Sequence, residues 1–176
     1  MSEEAYRPKG KSYLYVNDDE ILKIDSEYVA GLKERKSKNP ENKCMLCLHN
    51  DIRASLHEMI NVYEKGEYVR PHYHPNKTET KIVLEGNMMV ILFDDDGVIK
   101  ERIILSGKEK ACFLLRIEKG IIHCSIPITD VVYYEATTGP YTGKDDSVYP
   151  EWAPAKENAK EIRELYARLN VDKYMK

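Results

Sequence analysis

Four residues of this sequence are of the types and at the spacing that could share one metal ion: His72, His74, Glu79 and His123. His72 and His74 are two apart, and on an extended chain residues two apart point to the same face. Their imidazoles would then stand side by side. The next four residues, Pro75-Asn76-Lys77-Thr78, carry turn chemistry that lets the chain reverse. Glu79 can return on the neighbouring strand and add a carboxylate. Two imidazoles and a carboxylate on one side of an ion suit Fe, Mn, Ni or Zn, with other coordination positions left open. His123 follows the turn Glu118-Lys119-Gly120-Ile121 and is the only histidine after residue 74. It is the natural fourth ligand. The expectation is one divalent ion per chain, acting as a Lewis acid on a carbonyl or on vicinal hydroxyls.

Other side chains could serve the same pocket. If the strand through residues 68–74 is unbroken, Tyr68 and Arg70 share a face with both histidines and would bind substrate. A guanidinium beside a metal favours an anionic or polyhydroxylated ligand. His57 shares a strand face with Met59, Asn61 and Tyr63. His57 and Tyr63 are therefore candidate catalytic proton carriers, since histidine titrates near neutral pH. The simpler reading of His57 is a hydrogen-bonded structural residue. Cys44, Cys47 and His49 are close enough to suggest zinc, but a second ligand cluster is missing. They read as structural thiols in a strand. Cys124 alternates away from His123 and is not expected to be a ligand.

These residues need strands to hold them. From about Ala54 to Thr137, short β-type runs alternate with turn signals: LHEMINVY before EKGE, YVRPHYH before PNK, ETKIVL before EGN, MMVILF before DDDG. VIKERIIL, CFLLRI, IIHCSI and VVYYEAT continue the series. Asp96-Gly97 is a strong hairpin signal. Short strands at roughly ten-residue spacing predict an all-β sandwich or barrel rather than a parallel α/β sheet. Before them, Tyr13–Val16 reads as an added strand. A helix is expected from Asp25 or Ser26, with Ile24, Tyr28, Val29 and Leu32 as its stripe. ERKSKNPENK reads as a loop. After a coil, residues 155–169 are expected to be helical, with Ala159, Ile162, Leu165, Tyr166 and Leu169 on one face. The division is an N-terminal extension over 1–24, a main domain over 25–154 and a C-terminal helix over 155–176.

The motif Gly66, His72, His74, Glu79, Gly86 resembles the first cupin motif at every position. Glu118-Lys119-Gly120-Ile121-Ile122-His123 matches the second motif at its Gly and His, with Glu118 and Pro127 departing from its Pro and Asn. CLHND, YVRPHYHPNKTET, FDDDG, EATTGPY and EWAP make residues 25–154 similar to the WbuC-type cupin-fold metalloproteins. That resemblance implies a single double-stranded β-helix, or jelly-roll, barrel. It also implies the metal set named above, an association with surface polysaccharide synthesis and a possible homodimer.

Composition narrows the function classes. With 27 basic and 30 acidic residues and a net charge of -3, there is no electrostatic case for nucleic acid, which favours a strongly basic face. No run approaches the ~18 apolar residues of a membrane helix, and no secretory signal opens the sequence. A cytoplasmic location follows as the default, with the four cysteines as free thiols. The partner expected is a small anionic or sugar-like molecule. The leading activity is a metal-dependent isomerase or epimerase. The alternatives are an Fe(II) dioxygenase and a non-catalytic sugar-binding or regulatory cupin.

Overall fold

The computed structural model describes residues 7–9, 11–16, 19–108 and 110–175 of the 176. The rest of the N-terminal extension lies outside the described residues. Among the described residues, ten strands form two sheets. β1 (Arg7–Lys9), β2 (Lys11–Val16), β3 (Lys43–Cys47) and β4 (Leu56–Tyr63) precede β5 (Glu79–Glu85) and β6 (Asn87–Phe93). β7 (Ile99–Ser106), β8 (Leu114–Ile117), β9 (His123–Pro127) and β10 (Val131–Thr138) complete the set. The larger sheet runs β1-β2-β3-β4-β10-β5-β8 and the smaller β7-β6-β9.

Side-chain alternation explains how the sheets stack. On β4, Ile60 and Val62 face outward into a cluster with Tyr28, Val29 and Leu32 of α1 (Ser26–Lys38). His57, Met59 and Tyr63, on the other face, line the barrel interior. β6 is buried on both faces. Met88 and Val90 pack between the sheets, while Met89, Ile91 and Phe93 pack outward. Burial on two faces is why its sequence is a continuous apolar run rather than an alternating one. The outer layer on β6 is α2 (Ala159–Leu169), which contributes Leu165 and Leu169. Each sheet therefore has one helix on its back.

Two expectations are corrected here. α1 continues through Glu34–Lys38, so half of the stretch read as a loop is helical. Lys and Arg are good helix formers, and Arg35, Lys36 and Lys38 sit at the C-terminal end, where the helix dipole favours cations. Asp25 caps the start, accepting from Tyr28 N at 2.9 Å. Secondly, residues 68–74 are not a strand. Only His72 and Tyr73 make isolated bridges, to His123 and Val148. Pro71 lacks the N–H that a continuous ladder needs.

Candidate metal centre

His72 and His123 are brought together by the backbone. Each N–H donates to the other's carbonyl at 2.9 Å, so the two residues sit directly opposite. Gly120 adopts a left-handed φ of 79° and its N–H donates to His74 O at 2.8 Å, tying the turn before His123 to the other histidine. Glu79 opens β5 and projects inward. One candidate ligand atom from each of His72, His74, Glu79 and His123 falls within 4.8 Å of the others. Two bonds of about 2.0–2.2 Å to one ion reach up to about 4.4 Å, so a contraction of a few tenths of an ångström brings all four onto a single ion.

The proton positions also suit a cation. The Nδ1 atoms of His72, His74 and His123 lie 2.8, 2.5 and 2.9 Å from the carbonyl oxygens of Arg70, Asp146 and Ile121. A carbonyl only accepts, so each Nδ1 carries a hydrogen, which leaves Nε2 as the ring atom available to an ion. Metal-bound histidines are oriented in this way by their outer partners. His123 Nε2 is buried without a hydrogen-bond partner, 2.7 Å from Glu79 Oε1. A positive charge between these two atoms, carried by a proton or by a metal, would satisfy both, and the donor set fits a divalent ion.

Charge in the site is finely divided. Burial alone would raise the Glu79 carboxyl, but Lys81 and His123 beside it hold it well below the ordinary range. Lys81 Nζ lies 2.6 Å from Glu79 Oε1 and 3.5 Å from Glu135 Oε2. Burial opposes its charge, yet the two carboxylates raise its pKa. Glu135 itself is raised by burial. For His72, burial and then His123 lower the pKa to about 3. His74 is raised, because contact with Glu79 outweighs burial.

A cavity of about 730 Å³ adjoins these residues. His72, His74 and Glu79 line it with Lys81 of β5, His57, Met59 and Tyr63 of β4, and Tyr133, Glu135 and Thr137 of β10. His57 stacks on His49, ring centroids 4.0 Å apart, and its Nε2–H donates to Ile52 O at 3.1 Å. Burial and then Lys77 lower its pKa. Tyr63 meets Tyr133 edge to face at 5.6 Å. The segment 141–149 closes one side. Its Asp146 pairs with buried Lys77, and Val148 exchanges backbone hydrogen bonds with Tyr73 at 2.9 and 3.0 Å.

Tyr68 and Arg70 do not share the histidines' face, because the strand expected there is absent. Tyr68 OH donates to Pro154 O at 2.8 Å, and the Arg70 guanidinium donates to Ala153 O. Both line a neighbouring cavity instead. Cys44 and Cys47 are buried on β3, and Cys124 packs with Met89, Ile91 and Leu165 on the far side of its strand. Lys81 and Glu135 were missed by sequence reasoning. The signal was present: Lys81 is two after Glu79 on a recognised strand, and so shares its face.

Residues 24–105 match a family described as a domain of unknown function (DUF6016). No curated protein matches the chain. Among solved structures, the capsular polysaccharide assembling protein CapF from Staphylococcus aureus is similar at 19% identity, over 61% of this chain and 34% of that one, with a TM-score of 0.46. This chain therefore corresponds to about a third of CapF. KdgF from Halomonas sp. is similar at 14% identity, covering 57% of this chain and 81% of that one, TM-score 0.45. The conserved SPY1581 protein of unknown function from Streptococcus pyogenes gives 14%, 76%, 100% and 0.49. Two facing sheets, antiparallel apart from the parallel β2–β3 pair, with a His/His/Glu/His set opening onto the space between them, give this chain the all-β, two-sheet jelly-roll architecture expected from the sequence.

Proposed function

We propose that this protein is a WbuC-type, metal-dependent cupin that acts on a sugar or related small molecule in the 730 Å³ cavity. The observation that carries this reading is His123 Nε2, buried, bare and facing Glu79. A divalent ion held by His72, His74, Glu79 and His123 would supply Lewis-acid charge for an oxyanion. His57 lies in the same cavity and is kept neutral by burial, the state in which it can accept a proton from a substrate carbon. Tyr63 is the second candidate to carry a proton. The polar lining of Lys81, Glu135 and Thr137 suits a hydroxyl-rich substrate, which favours isomerisation or epimerisation. The resemblance to WbuC-type cupins supports a place in surface polysaccharide synthesis, a cytoplasmic location and a homodimer.

Metal analysis tests the reading. Purified protein should carry up to one divalent ion per chain, and His74→Ala should lose most of it. Protein that stays metal-free after reconstitution with Fe, Mn, Ni, Co and Zn would overturn it. Incubating the loaded protein with a panel of sugars in deuterated water should show solvent deuterium entering one C–H position. Substrate-dependent oxygen uptake would instead make it an Fe(II) dioxygenase, and tight binding without turnover a regulatory module.

A further inference from the structure

Beside the metal cavity lies a second one of about 300 Å³. Tyr63, Val69 and Tyr149 line both, so the two cavities share part of their walls. Arg70, Lys43 and Lys156 line the second cavity alone. Their charges are not equivalent. Lys156 Nζ lies 2.7 Å from Glu41, and Lys43 Nζ lies 3.1 Å from Glu67 and 3.6 Å from Glu41. Those two ammoniums are balanced by carboxylates.

Arg70 is different. Its Nε and Nη2 donate to one neutral oxygen, Ala153 O, at 3.1 and 2.8 Å, and its guanidinium lies 4.5 Å from the centre of the Tyr149 ring. Among the described residues, no carboxylate pairs with it. A guanidinium has five N–H donors, and two are used, which leaves three. The carbonyl and the ring fix its orientation, so little entropy remains to be lost on binding. A half-buried cation without a counter-charge is costly. A neutral occupant leaves that cost in place, whereas an oxyanion removes it and takes the guanidinium fork. Among the described residues, Glu157 is the one acid on the lining. It is exposed, where water and salt screen it.

We propose that this second cavity is an oxyanion subsite in which Arg70 holds a phosphate or carboxylate group. Tyr63 and Tyr149 offer apolar ring faces to whatever carries that group. The site does not require the metal, so its test is independent of the function proposed above.

Calorimetric titration of the full chain, stripped of metal by a chelator and dialysed, decides the matter. The probes are inorganic phosphate, galacturonate and neutral galactose. At least one anion should bind at one site per chain and galactose should not. Which anion binds more tightly identifies the group as phosphate or carboxylate. Arg70→Gln should weaken the binding tenfold or more. Should that variant fail to fold, Lys156→Gln, at an exposed position, should weaken it several-fold. His74→Ala should leave it unchanged. Failure of both anions to bind overturns the proposal, as does galactose binding as well as galacturonate. Unchanged affinity in folded Arg70→Gln, or loss of binding in His74→Ala, overturns it too.

Discussion

That His72, His74, Glu79 and His123 come together was legible because metal chemistry constrains residue type and spacing together. A His-x-His pair, a turn and a glutamate on one face are hard to account for without an ion. Arg70 was misplaced because its position depended on an unbroken strand, and Pro71 breaks it. Gly86 was legible as a motif residue, and its cause is physical: at φ 78°, a Cβ there would lie 2.1 Å from Asp130 O. His57 carries the prediction at this scale. Its folded pKa is depressed below the ordinary 6.5 by burial and by Lys77. The unfolded chain therefore takes up the proton first as pH falls, and the native state loses stability below about pH 6.5. Replacing His57 with Asn removes that part of the acid sensitivity. In metal-free protein, the stability advantage of wild type over His57→Asn should shrink between pH 7.5 and 5.5. An advantage independent of pH would show that His57 titrates alike in both states.

At the scale of elements, alternation located most strands correctly, and LHEMINVY coincides with β4 (Leu56–Tyr63). Ends set by capping were less visible. α2 starts at Ala159 rather than 155, because Asn158 supplies the cap, accepting from Glu161 N at 3.3 Å. Which sheet each helix covers could not be read from periodicity, since an apolar stripe does not name its partner. That partner matters for stability. Leu169 is fully buried against the outward face of β6. Leu169→Ala should cost about 2–5 kcal/mol, the usual range for such a cavity, measured by urea denaturation. Metal content per folded chain should not change, because α2 lies on the opposite side of the small sheet from the ligands. A folded variant that sheds its ion would show that α2 supports the site directly.

At the scale of the whole molecule, the two-sheet arrangement was legible, while the order β1-β2-β3-β4-β10-β5-β8 was not. Strand order is set by pairings between distant residues, such as Thr137 with Glu79 and with His57, and local pattern carries no record of those. The same distance in sequence explains why Lys81 and Glu135, which face each other in register, were not recognised as a pair. No helix among the described residues is long and apolar enough to cross a membrane.

One contact joins these scales. The carbonyl of Asp146, seventy-two residues from His74 along the chain, fixes that ring's tautomer. If the proposed ion binds through His74, its occupancy and the ordering of residues 141–149 would be thermodynamically reciprocal: whatever favours one favours the other by the same free energy. Zinc added to stripped protein should slow hydrogen exchange at the amides of Tyr73 and Val148, and identical exchange rates would break the linkage. On the proposed reading, the segment bordering the cavity would draw part of its latch strength from the ion, and stripping the metal would loosen the cavity's wall as well as empty its centre.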